Sequence, residues 1–136
     1  MNCVFCRIAA GMLHSTKVYE DGTTVAIMDI NPLTPGHVLV MPKAHMENLF
    51  DAEEDTVAEV IRAVVRIAKA IGHALKPEGL NLLQANGRAA FQSVPHLHFH
   101  LIPRRSGDGA GFDWKPVPGD LDAVRRLSDQ IRAALG

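Results

Sequence analysis

The chain has 136 residues, 47% of them hydrophobic and 21% charged, with a formal net charge of −1 and a pI near 6.6. That is enough for one domain with one core and too little clustered positive charge for a polyanion-binding surface, so no nucleic-acid partner is expected. No apolar run approaches the roughly 20 residues of a membrane span, and no basic segment leads into an apolar one at the start, so neither membrane insertion nor a signal peptide is expected.

In chain order, residues 3–11 predict a short helical turn closed by Gly11. They hold both cysteines of the chain, Cys3 and Cys6, as one Cys-x-x-Cys motif. That motif points to metal or redox chemistry in a reducing, cytoplasmic setting rather than to a disulfide framework. Lys17 to Glu20 and Thr23 to Met28 predict two strands joined at Asp21-Gly22, a hairpin signal. Residues 29–36, Asp-Ile-Asn-Pro-Leu-Thr-Pro-Gly, are turn-forming and irregular. His37 to Met41 is short and β-branched and predicts a well-buried strand.

Asp51 is placed to cap a long helix running to about Leu75, with Glu53, Glu54 and Asp55 in its first turn. Val57, Val60, Val64, Ile67 and Ile71 give that helix one apolar stripe. Leu80 to Gln84 predicts another strand and residues 86–90 a loop. Residues 106–119 hold four Gly and two Pro and predict a further loop. Asp120 can cap a last helix with Leu121, Val124, Leu127, Ile131 and Leu135 on its buried side. The order predicts an α+β fold over residues 1–136: an antiparallel sheet of about five strands, one long and one C-terminal helix, and helices on one face.

Three of the seven histidines, His96, His98 and His100, fall at alternate positions between Pro95 and Pro103. Along a strand alternate side chains share a face, so the imidazoles line one side while Leu97, Phe99 and Leu101 press the other into the core. On a helix each step of two turns through about 200°, and the three rings would fan apart. Imidazole is a common metal ligand and, near neutral pH, a nucleophile and proton carrier, so the stretch predicts either a metal site or a phosphate-handling site. One arrangement this spacing permits is a single catalytic zinc held by all three rings.

The run from Gln92 to Pro103, with its His-φ-His-φ-His-φ-φ pattern after Gln92-Ser93-Val94, resembles the signature of the histidine triad (HIT) family. Met28 to Pro32 and Gly36 to His45 also resemble that family, and Cys3 to Gly11 is similar to the start of its bacterial members. The resemblance implies a HIT-like fold, usually a homodimer, that binds purine nucleotides such as AMP or GMP. It implies a hydrolase acting on nucleoside phosphoramidates or dinucleoside polyphosphates through a nucleotidyl-histidine. His98 matches the nucleophile and His100 the residue at the phosphate and leaving group. Ser93 and Gln92 match the phosphate loop, Asp29 the carboxylate for ribose hydroxyls, and Ile30 an apolar contact to the nucleoside. Cys3, Cys6, His45 and His96 match a structural Zn2+ set.

The sequence departs from the family pattern at Ala85, with Asn86 displaced by one. It also carries Phe91 where the Hint branch has Gly, and there Phe91 is expected to narrow the phosphate loop or stack near the ligand. His100 stands where the nucleotidyl-transferase branch has Gln, which favours hydrolysis. A non-catalytic nucleotide-binding or scaffold protein of the same fold is the alternative. His14, His37 and His73 fall outside these blocks and are expected to be structural or exposed.

Overall fold

The structure, a computed structural model, describes residues 2–112 and 114–135. The first element is a short helix, α1 (Val4–Ala9), with Cys3 at its N-cap and Gly11 in the left-handed region just beyond it. The hairpin β1 (Lys17–Glu20) and β2 (Thr24–Met28) follows. Asp21 closes it by accepting hydrogen bonds from the Thr23 and Thr24 backbone N–H groups, at 2.8 Å each. Next come β3 (Val38–Pro42), the long helix α2 (Glu54–Leu75), β4 (Gly79–Gln84), β5 (Phe99–Arg104) and α3 (Leu121–Leu135). The strands form one antiparallel sheet in the order β1-β2-β3-β5-β4.

The middle of the sheet is buried on both faces, at β2 and β3, whereas β1 and β4 at its edges are largely exposed. Val38, Val40, Leu97, Phe99 and Leu101 pack with the α2 stripe, where Val60, Val64, Ile67 and Ile71 are all buried. Burial of such side chains is worth roughly 1.5–3 kcal/mol each. Leu39 and Met41, the alternate residues of β3, face the other way and pack with Val25, Ile27, Phe5 and Ile8. The helices therefore do not share one face, because α1 closes the second. The strand predicted from residue 37 is buried throughout, as its β-branched run requires.

Several boundaries differ from expectation for physical reasons. Asp51 does not cap α2. It sits in a 3₁₀ turn, Leu49–Asp51, where its carboxylate accepts from the Glu47 and Asn48 N–H groups, and Glu53 takes the N-cap without a side-chain bond. Pro103 does not stop the histidine strand but lies inside β5. The Arg104 carbonyl accepts from Glu78 on the β4 side, whereas the Pro103 carbonyl faces the other way and accepts from Thr34 Oγ1. Its missing N–H thus points beyond the end of β3, where no ladder bond is due. The ladder of β5 starts only at Phe99, so His96 and His98 precede it. The chain bends over residues 94–96, where His96 N–H donates to the Val94 carbonyl. The alternation holds from there on, with Leu97, Phe99 and Leu101 in the α2-side core and Leu97 N–H donating to the Met46 carbonyl.

The largest departure is α3. Its stripe of Leu121, Val124, Leu127, Ile131 and Leu135 is present, but each of these side chains is more than half exposed. Helical spacing shows that a face needs cover, not that the same chain supplies it.

Candidate active site and metal centre

A cavity of about 700 Å³ opens on the α1 side of the sheet. Its walls are mostly apolar, with Val4, Phe5 and Ile8 of α1 and Leu13, Ile27 and Leu39. Asp29, Ser93, His98 and His100 bring polar groups to it, with Ile30 also on the lining. A mostly apolar cavity with a few polar groups suits a small amphipathic ligand.

His98 is buried, and its Nδ1 lies 2.7 Å from the His96 carbonyl oxygen. A carbonyl only accepts, so Nδ1 carries the proton and Nε2 keeps a lone pair. Burial lowers the His98 pKa from its ordinary value, against the pull of that carbonyl bond and of Asp29, so the ring is neutral near pH 7. The edge of Phe5 packs against the ring at 5.1 Å between centroids. A buried, neutral imidazole with a fixed tautomer has the attributes of a nucleophile.

His100 stands beside it, 4.9 Å between ring centroids. Its own neighbour is His37, whose Nε2 lies 2.9 Å from His100 Nδ1 and 3.6 Å from an Asp29 carboxylate oxygen. His37 is buried beside His100 rather than exposed, and it does not line the cavity. Sequence reading missed it, yet a signal was there: Asp29 and His37 flank one turn-rich loop, and closing that turn makes them neighbours. The Asp29 N–H donates to the His37 carbonyl at 3.0 Å. Gly36 permits the closure, with φ at +92°, a conformation that side chains disfavour, and a Cβ there would also push on Leu75 Cδ1 at 2.6 Å.

The phosphate-loop candidates divide. Ser93 lines the cavity, whereas Gln92 does not. The Gln92 amide accepts from Gly87 N–H and Asn48 Nδ2 and donates to the Glu47 and Val94 carbonyls, so it ties the loop together. Asn86 is likewise engaged, accepting from Leu49 N–H and exchanging bonds with Gln84. Phe91 does not stack near the cavity. It adopts a φ of +67° and is 92% exposed, so the positive φ turns the ring to solvent. Arg104 and Arg105 also point elsewhere. Arg104 binds Asp108, Asn81 and the Ala110 carbonyl, and Arg105 binds the Leu75 and Lys76 carbonyls at the end of α2.

Behind the cavity, Cys3, Cys6, His45 and His96 converge, with their donor atoms within 4.8 Å of one another. The His96 Nδ1 lies 3.4 and 3.5 Å from the two thiol sulfurs and 3.2 Å from His45 Nδ1. A tetrahedral Zn2+ with ordinary Zn–S and Zn–N bonds spaces sulfur and nitrogen by about 3.5 Å and two nitrogens by about 3.3 Å. The donors fit that spacing. His96 Nε2–H donates to the Pro42 carbonyl at 2.8 Å, which frees Nδ1 to ligate. Burial pushes the Cys6 thiol up to about 11, with the Cys3 thiol beside it adding to the shift. A bound dication would take that proton off. Among the described residues the three triad rings do not converge on one centre: His96 falls in the set with Cys3, Cys6 and His45, and His100 in a set with Asp29 and His37.

A family model described as HIT domain matches residues 11–107. A crystal structure of a member of the HIT family from Bacillus subtilis superposes with a TM-score of 0.94 at 41% identity, covering 100% of this chain and 99% of that one. An adenosine 5'-monophosphoramidase of Schizosaccharomyces pombe is 35% identical over 136 residues, 99% of each chain. A Zn-bound histidine triad family protein from Mycobacterium smegmatis superposes with a TM-score of 0.77 at 38% identity, covering 98% of each chain.

Proposed function

The chain belongs to the HIT-domain family, and on that footing we propose that it is a nucleotide-binding hydrolase, one HIT domain over residues 1–136. It cleaves at the α-phosphate of a purine nucleoside phosphoramidate or dinucleoside polyphosphate and releases the nucleoside monophosphate. The observation that carries this reading is the His98 ring, neutral and with its proton fixed on Nδ1 so that Nε2 keeps a lone pair, on the lining of a mostly apolar cavity that Asp29, Ser93 and His100 also line. The phosphoramidase activity of the yeast relative supports the substrate class.

In this reading Nε2 of His98 bonds to phosphorus as the bond to the leaving nitrogen or oxygen breaks, and the leaving group takes up a proton from solvent. The Nδ1 proton stays on the ring against the His96 carbonyl. Water then adds its oxygen to phosphorus as the N–P bond of the nucleotidyl-histidine breaks, returning a proton to solvent and the lone pair to Nε2. Ser93 and His100 address the phosphate, Asp29 the ribose hydroxyls, and Ile30 the nucleoside. Gln92 acts through the loop it ties. Cys3, Cys6, His45 and His96 would hold Zn2+ as a closed four-ligand site, which leaves no position for water and is therefore structural. Incubation with adenosine phosphoramidate or a dinucleoside polyphosphate is expected to release AMP. Binding of AMP with no turnover of either class would reduce the protein to a nucleotide-binding scaffold.

The homodimer belongs to the same proposal. No strand pairs with the outer side of β4 among the described residues, and that edge exposes Leu80, Leu82 and Leu83 without a proline or lysine to blunt it. The bare stripe of α3 adds further apolar surface. Leu82→Asp is expected to convert a dimer into a monomer by light scattering at micromolar concentration. An unchanged mass would move the interface away from β4.

A further inference from the structure

We propose that His37 is a positioning residue that holds His100 in the tautomer with its proton on Nε2, so that His100 meets the bound phosphate as a neutral hydrogen-bond donor. The role rests on the cavity being a phosphate site, but the tautomer is observable without substrate.

The lock begins in the backbone. The loop after Pro32 folds back so that the Leu33 N–H lies 3.0 Å from His37 Nδ1. A backbone N–H only donates, so Nδ1 must present a lone pair and the single proton of the neutral ring sits on Nε2. That Nε2 is 2.9 Å from His100 Nδ1 and points its proton there. His100 accepts at Nδ1 and keeps its own proton on Nε2, the nitrogen left for the cavity. The Asp29 carboxylate, 3.6 Å from His37 Nε2, favours a proton at that atom.

The arrangement resists the alternatives. Protonating His100 on Nδ1 would set two N–H groups head to head across 2.9 Å, and His37 cannot turn its lone pair inward because Leu33 already uses it. The groups facing His100 are His98, His37 and Asp29. Burial first, then the two neighbouring imidazoles, hold its pKa down to about 4, against the carboxylate. His98 and His100 thus offer a lone pair and an N–H side by side. With the opposite tautomer, two lone pairs would confront an anionic phosphate. The chain of rings does not conduct protons: handing one forward from His37 would leave that ring with none.

The test uses the whole protein with 15N-labelled histidine. The His100 Nδ1 is expected to resonate as unprotonated and Nε2 as protonated, down to about pH 5. In His37→Leu the tautomers mix, while His100, still buried and still beside His98, stays neutral near pH 7. The kcat then falls by roughly 10- to 100-fold, as for other orienting partners of a functional histidine. His37→Gln, whose amide can accept from Leu33 and donate to His100, keeps the tautomer. If His37→Leu fails to fold, His37→Glu replaces it, since a carboxylate only accepts and drives the His100 proton onto Nδ1. A His100 pattern unchanged in His37→Leu or His37→Glu overturns the proposal. A pattern that changes as expected, in a protein that turns over no nucleotide, keeps the lock and overturns the functional reading instead.

Discussion

His98→Ala is expected to lower kcat on a nucleoside phosphoramidate by about 10⁴-fold or more, the scale seen when a covalent nucleophile is removed. The covalent adduct that mass spectrometry should find on the wild-type chain is expected to vanish with it. AMP affinity should stay within a few-fold, because the apolar lining of the cavity, Asp29 and Ser93 remain in place. That division of effects identifies a group acting in the chemical step rather than in binding. The pH dependence follows the same ring. Its pKa is lowered, so the reactive neutral form is present above that depressed value and is lost only as pH falls through it. Turnover that survives in the His98→Ala protein would remove His98 from the reaction.

The second large effect concerns the metal. Wild-type protein is expected to carry about one Zn2+ per chain, and Cys6→Ser or a strong chelator to remove it. Helix α1 has six residues, too few to persist alone, so its place depends on Phe5 and Ile8 in the second core cluster and on the anchors at Cys3 and Cys6. Loss of the ion should cost about 3 kcal/mol, or roughly 10 °C in Tm for a domain of this size. It should also weaken AMP binding by more than about tenfold (1.4 kcal/mol,), because Val4, Phe5 and Ile8 form the wall of the apolar slot. A metal-free chain with unchanged Tm and affinity would show that the four donors only neighbour one another.

Period-two alternation placed the imidazoles and Leu97, Phe99 and Leu101 on opposite faces, although only His100 of the three histidines lies in the ladder. The stripe of α2 was legible for the same reason: spacing encodes a face. Spacing does not encode what covers the face, and the exposed stripe of α3 is the result. The donor set Cys3, Cys6, His45 and His96 was legible only through the family resemblance, since the Cys-x-x-Cys motif by itself named no imidazole partners. The duties of Gln92, Asn86 and Phe91 were not, because an amide bonds whatever the tertiary loop sets beside it, and a positive φ at a bulky residue leaves no trace in composition. His37 stood between these cases, since its partner across the turn was readable but its bond to His100 depends on how β3 pairs with β5.

One peptide joins the two centres. His96 sends its imidazole to the thiols while its carbonyl oxygen holds the ring of His98. The two duties are separable by mutation, since a side-chain change reaches only the first and the second belongs to the main chain. A cysteine at 96 could still ligate zinc and would leave the carbonyl where it is. The orientation of the nucleophile is therefore sheltered from point substitution at 96 for as long as the local backbone holds its path.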